Sequence, residues 1–189
     1  MGFSGSGKDT QAELLKDFLE KRDGPGSVLW ISTGDILRDL VVKESYAGRV
    51  IDRKIMKAGE IAPSFLVTLL WAETAVMELK ENQHVIFPSS PRSMEEARNL
   101  DEFAAFFDRQ VRPIFIDVAR EEAFQRLIER GRVDDTPKII NHRLDYFERE
   151  VRPAIEYFRN ESQNKLVQID GNPKDVKAIQ KETLKAVGF

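Results

Sequence analysis

The stretch Gly2-Phe3-Ser4-Gly5-Ser6-Gly7-Lys8-Asp9-Thr10-Gln11 decides the fold. It satisfies G-x-x-x-x-G-K, the glycine-rich half of a phosphate-binding P-loop. Small residues let successive backbone N–H groups face one phosphate, and the helix that follows adds its positive N-terminus. Lys8 is placed to reach the β- and γ-phosphates. Asp9 stands where a Ser or Thr normally meets magnesium, and Thr10 follows one place later. A flexible Gly/Ser tail would look similar, but an amphipathic run starts directly after Lys8 and argues against it.

Outward from the loop, Leu14, Leu15, Phe18 and Leu19 share one face of a predicted helix from Gln11 to Arg22, stopped at Gly24. The apolar runs Val28–Ile31, Val85–Phe87, Ile114–Asp117 and Leu166–Ile169 read as strands covered on both faces. Helical patterns over 34–44, 47–58, 63–81, 93–108, 121–129, 138–159 and 173–187 separate them. This alternation predicts an α/β fold with a doubly wound parallel sheet, and the strandless block after residue 31 reads as a helical insert. A P-loop is ordinarily fed by a buried strand, yet only Met1 precedes Gly2. The expectation is that a strand before Gly2 is missing from this sequence rather than from the protein's sheet.

The chain has 189 residues, the size of one domain, with 41% hydrophobic and 32% charged residues, a balance that argues against disorder. The absence of cysteine excludes a disulfide scaffold, a thiolate zinc site and a cysteine nucleophile. A net charge of −3 leaves no global footprint for nucleic acid. The longest apolar run, 65–77, is interrupted by Thr68, Glu73 and Thr74, which predicts no membrane span. No secretory pattern opens the chain, so a soluble, cytoplasmic monomer is expected. Trp71, Met77, Phe103, Phe106 and Phe107 recur at helical spacing and are expected in the core.

The spacing through Gln11 resembles the P-loop of adenylate kinases, which also delay the Thr by one residue and follow it with Gln. The resemblance runs along the chain. Ile31-Ser-Thr-Gly-Asp-Ile-Leu-Arg38 resembles the family's AMP-side signature, and Ala58-Gly-Glu-Ile-Ala-Pro63 the segment that holds the AMP base and ribose. Ser90-Pro-Arg-Ser93 resembles its Pro-Arg element. Arg126, Arg130, Gly131-Arg-Val-Asp-Asp135 and Arg143-Leu144 resemble the arginine-rich lid region, and Asp170-Gly171 the turn near the ATP adenine.

The resemblance implies a P-loop NTPase kinase domain over 1–189. Its core is 1–31, 63–129 and 136–189, with a helical monophosphate-binding insert at 32–62 and a very short lid at 130–135. It implies ATP contacts from Gly5, Ser6, Gly7, Lys8, Asp9, Thr10, Arg126, Arg130 and Pro173. It implies AMP contacts from Thr33, Arg38, Glu60, Ile61, Ala62, Ser89, Arg92, Glu96, Arg132 and Arg143. Lys8, Arg92, Arg126, Arg132 and Arg143 are the implied catalytic residues. Magnesium is implied as a companion of ATP held through phosphate and water, with no direct protein ligand and no zinc. Phosphoryl transfer needs positioning and charge neutralisation, which explains the demand for cations. Arg126 and Arg130, four apart, are expected to converge on one anion. Asp134 and Asp135 are expected to cap the following helix rather than to pair with the lid arginines.

Two departures keep alternatives open. The family places Asp-Gly where this chain has Pro88-Ser89, removing a carboxylate that orients magnesium-bound water. A catalytically weak nucleotide-binding relative is therefore one alternative. Glu96 replaces the family's AMP-binding Gln. An ionised carboxylate only accepts hydrogen bonds, which suits guanine N1–H and leaves GMP or another monophosphate as acceptor open.

Overall fold

The computed structural model describes residues 1–58, 60–132, 135–172 and 175–189. Four strands alternate with helices in the expected order. They are β1 Val28–Trp30, β2 His84–Ile86, β3 Ile114–Asp117 and β4 Val167–Asp170. The helices are α1 Lys8–Asp23, α2 Thr33–Val42, α3 Tyr46–Ile51, α4 Ser64–Glu78, α5 Met94–Phe106, α6 Arg120–Arg130, α7 Pro137–Tyr146, α8 Arg152–Asn160 and α9 Val176–Ala186. No helix among the described residues is long and apolar enough to cross a membrane.

All pairing is parallel, but the sheet is split. β1 pairs with β2, and β3 pairs with β4, as two separate ladders. Between β2 and β3 lies a cavity of about 440 Å³. Met1 alone bridges toward β3: its amino group donates to the Ile114 carbonyl, and the Ile116 N–H donates to the Met1 carbonyl at 3.0 Å. The chain thus runs from a strand-like Met1 directly into the phosphate loop.

Each half has its own core. Phe115, Ile116, Leu127, Ile140, Leu144 and Ile155 centre the β3–β4 side. Leu29, Ile31, Val67, Trp71 and Leu100 centre the β1–β2 side, where Trp71 meets Phe87 and Phe103 edge-on. Two of the expected core residues are not in it: Met77 is 77% and Phe106 81% exposed. Helix α4 is apolar all round, so spacing alone could not say which side faces inward.

The predicted helix over 138–159 is one rod with a defect. A π-helical turn, Phe147–Val151, joins α7 to α8. Pro153, in the first turn of α8, has no N–H to donate and would crowd the preceding carbonyl, and the widened turn accommodates both. The strandless block after residue 31 forms α2, α3 and a second π-helical turn, Asp52–Met56. Leu37 and Ile51 pack it onto Leu70 of α4.

One polar knot ties α5 to the segment after α8. The Asp101 carboxylate accepts from Tyr157 Oη at 2.8 Å, Ser162 Oγ at 2.6 Å and Asn164 Nδ2 at 3.0 Å. Tyr157 is pushed up to about 12, first by burial and then by its bond to Asp101. Replacing Asp101 with Ala strips three donors of their acceptor and should cost about 2–3 kcal/mol. Urea unfolding of Asp101→Ala checks this, with the midpoint falling and the slope unchanged.

Candidate nucleotide site

The phosphate loop owes its shape to two glycines. Gly7 caps α1 in the left-handed region, φ 86°, which a side chain rarely adopts. Gly5 also has φ 86°, and a Cβ there would stand 2.8 Å from the Ala123 carbonyl of α6. Ser6 N–H donates to Phe3 O at 3.0 Å and closes the loop, with the Ser6 side chain fully buried. The loop is therefore pressed against β3 and α6 with its open side outward.

Lys8 follows at the start of α1, its side chain 19% exposed and its Nζ 3.6 Å from Asp9. Burial pushes its ammonium below the ordinary lysine value. Asp9 opposes this, while the charges of Arg92 and Arg130 press it further down. Three cations from three elements thus crowd one loop, a charge distribution that an anion relieves.

A cavity of about 220 Å³ opens beside the loop, lined by Ser6, Gly7, Thr10, Gln11, Arg126, Glu129, Val176 and Ile179. Arg126 reaches it from α6 but does not converge with Arg130, contrary to expectation. Its Nε donates to Glu122 at 2.8 Å, and its guanidinium also holds the Gly171 and Asn172 carbonyls, each at 2.9 Å. Competing acceptors decide the direction: Arg126 braces the turn after β4, while Arg130 turns to Asp135.

Asp135 gathers two arginines. Its side chain is fully buried, and it accepts two bonds from Arg130, both 2.9 Å, and one from Arg143 at 3.0 Å. The expectation that Asp135 caps α7 is corrected: Thr136 Oγ1 does so, accepting from Ile139 N. Two guanidiniums nearby outcompete a backbone N–H for a carboxylate. Arg132 is exposed, with its carbonyl accepting from Asp135 N at 2.9 Å. Asp134 and Pro173 lie outside the described residues.

On the acceptor side, Thr33 is buried in the first turn of α2, and Arg38 is exposed and paired with Asp35. Glu60 faces His142 at 3.6 Å, and Ile61 and Ala62 are half-buried beside it in the chain. The Ser89 carbonyl accepts from Arg92 Nε at 2.9 Å, and Tyr146 Oη donates to the Arg92 carbonyl at 3.0 Å. Tyr146 was not singled out from sequence, although it lies one turn beyond Arg143.

Glu96 is 1% exposed. Its carboxylate accepts from the Arg92 N–H at 2.6 Å, while its own N–H donates to Ser93 Oγ at 3.2 Å. Ser93-Met-Glu-Glu96 carries the sequence pattern of a capping box, and here the carboxylate reaches one residue further back, to the Arg92 N–H rather than that of the N-cap Ser93. Burial pushes the Glu96 carboxyl up, against the opposing pull of the Ser90 hydroxyl and of the Arg92 N–H and charge.

Among the described residues, no group of three His, Asp or Glu could hold a metal ion. The donors near the loop are the Asp9 carboxylate, already paired with Lys8, and the Thr10 hydroxyl. Buried Pro88 and half-buried Ser89 supply no carboxylate at the end of β2. The Thr10 hydroxyl and the Asp9 carboxylate are oxygen donors of the kind magnesium takes.

The adenylate kinase family model matches residues 1–163. The chain belongs to the adenylate kinase family. An adenylate kinase of Prochlorococcus marinus (strain AS9601) is 31% identical over 183 residues, covering 96% of this chain and 93% of that protein. An adenylate kinase of Thermus thermophilus is 32% identical over 176 residues, covering 90% and 86% respectively. Human adenylate kinase isoenzyme 5 is 32% identical over 180 residues, 93% of this chain but 30% of that longer protein.

Two outcomes follow for this family member. Removing the Asp135 carboxylate leaves two arginines without their shared acceptor. Because the guanidiniums are only 32% and 23% exposed, Asp135→Asn should cost about 2–3 kcal/mol by calorimetry. For Glu96, the folded state holds its proton above the ordinary 4.5, so that group's share of stability falls as pH rises through the window above 4.5. Glu96→Gln removes that term. Its stability relative to the parent should climb with pH across the window, read by denaturation at a series of pH values.

Proposed function

We propose that the protein catalyses reversible phosphoryl transfer from magnesium-bound ATP to AMP, giving two ADP. The observation that carries this is a glycine-built loop closed by the Ser6 N–H on Phe3 O, with half-enclosed Lys8 at the start of α1 and the charges of Arg92 and Arg130 pressing on it. Charge neutralisation and alignment are most of what the reaction asks of a protein. Gly5, Ser6, Gly7, Lys8 and Thr10 would cradle the ATP phosphates, with Asp9 steadying Lys8. Arg126 would border the adenine, as the 220 Å³ cavity that it lines suggests, and the family resemblance adds Pro173.

Arg130 and Arg143 would exchange Asp135 for phosphate oxygens, with Arg132 beside them, in a short lid over 130–135. Arg38 and Arg92 would grip the acceptor phosphate, with Thr33, Glu60, Ile61, Ala62 and Ser89 shaping the insert side over 32–62. Magnesium bound to ATP would screen its β- and γ-phosphates. The protein's own work is to hold the two nucleotides in line and keep water from the γ-phosphorus. We take the enzyme to be a cytoplasmic monomer acting on free nucleotides.

Glu96 bears on the acceptor base. Its carboxylate is buried and committed to the Arg92 N–H, so it positions the Pro-Arg turn instead of facing a base. This supports AMP over GMP. A coupled assay with ATP–Mg²⁺ across AMP, GMP, CMP, UMP and dTMP tests the whole reading. Turnover with AMP is expected. Nucleotide binding with no turnover on any acceptor would instead mark a catalytically silent relative. Lys8→Met should fold normally by circular dichroism yet lose roughly 10²–10³-fold in kcat.

A further inference from the structure

The arginines around the phosphate loop are held in different ways. Glu122 pairs with Arg126, and Asp135 pairs with both Arg130 and Arg143. Among the described residues, no carboxylate pairs with the Arg92 guanidinium, whose Nε donates to the Ser89 carbonyl at 2.9 Å. What fixes Arg92 is its main chain. The Arg92 N–H donates to Glu96 of α5 at 2.6 Å, and the Arg92 carbonyl accepts from Tyr146 Oη of α7 at 3.0 Å. These two groups belong to the peptide planes on either side of one Cα. Holding both planes fixes the direction of the Cα–Cβ bond, and with it the region the guanidinium can reach.

Tyr146 is well placed to hold such a bond. It is the last residue of α7, and it packs against the core cluster that contains Leu144 and Phe147. The Arg149 guanidinium, from the π-helical turn that follows, lies 5.9 Å from the ring centroid. Burial, and after it the charge of Glu150, pushes the Tyr146 hydroxyl up to about 12, so it stays a proton donor throughout the neutral range. Arg143 stands one turn earlier on the same helix, paired with Asp135. Helix α7 therefore carries Arg143 itself and braces the peptide of Arg92, 54 positions from Tyr146 in the chain.

We propose that Tyr146 is a positioning residue for the acceptor phosphate: its hydroxyl, by holding the Arg92 carbonyl, aims the Arg92 guanidinium at the monophosphate. This rests on the reading of Arg92 as a ligand of that phosphate. Tyr146 acts through Arg92 alone, so loss of its hydroxyl should weaken the hold on AMP and leave the hold on ATP unchanged. A hydroxyl that merely satisfied a half-buried turn carbonyl would not discriminate between the two nucleotides.

Tyr146→Phe keeps the ring in the core and removes only the hydroxyl. In steady-state assays with ATP–Mg²⁺ it should raise the KM for AMP about fivefold to tenfold, with the KM for ATP within about twofold of the parent. Tyr157→Phe, which deletes a half-buried hydroxyl bonded to Asp101, should leave both constants at the parent's values. In an Arg92→Ala background, Tyr146→Phe should add less than about twofold, because the guanidinium it aims is gone. An unchanged KM for AMP, equal rises in both KM values, the same rise in Tyr157→Phe, or a full further loss in the Arg92→Ala background would each overturn the proposal. A parent chain that shows no AMP binding by calorimetric titration and no turnover of AMP would overturn the reading of the site itself, and the proposal with it.

Discussion

The structure depends on holding the backbone of the Gly2–Lys8 loop in one shape. Gly7 at φ 86° turns the chain into α1, and Gly5 lets the loop touch the Ala123 carbonyl. No other residue type permits either feature without strain or displacement. On the inner side, the Met1 carbonyl is tied to Ile116 and anchors the loop to β3. Because donors aimed at developing charge act only if preorganised, this pinning matters more than the identity of the small side chains.

Around that loop the chain collects cations and then restrains them. The formal charge is −3, yet Lys8, Arg92 and Arg130 lie close enough to depress Lys8. Asp135, wholly enclosed, serves as shared counter-ion to Arg130 and Arg143. Glu122 plays a similar part for Arg126. Each arginine so held has a defined rotamer, which lowers the entropy that binding an anion must overcome. The acid partners are as much part of the site as the bases.

Glu96 and Asp135 show where reading residues alone runs out. Both lie in charge-rich stretches and look solvated, and both are among the most buried polar side chains. Glu96 sits in a Ser-x-x-Glu pattern that announces a helix start, so its backbone role was readable, though the Arg92 N–H as its partner was not. Asp135 carries no local signal to choose between helix cap and arginines. That choice rests on two guanidiniums arriving from Arg130 and Arg143. Likewise, Met77 and Phe106 have the spacing of core residues yet lie exposed; Met77 belongs to a helix apolar all round, which does not declare its inner face, and Phe106 is the last residue of α5.

What the sequence determined by itself was the order and kind of elements, the P-loop at Gly2–Lys8, the helices that follow residue 31 without a strand, and the family. These depend on local patterns: glycines at fixed offsets, apolar periods and caps, each readable within a few residues. The tertiary structure alone decided which strands pair, β1 with β2 and β3 with β4. It alone decided that Arg126 and Arg130 part company, and that Asp135 and Glu96 are enclosed. Those outcomes depend on which groups, far apart in the chain, compete for one partner or one volume, and no local pattern encodes that competition.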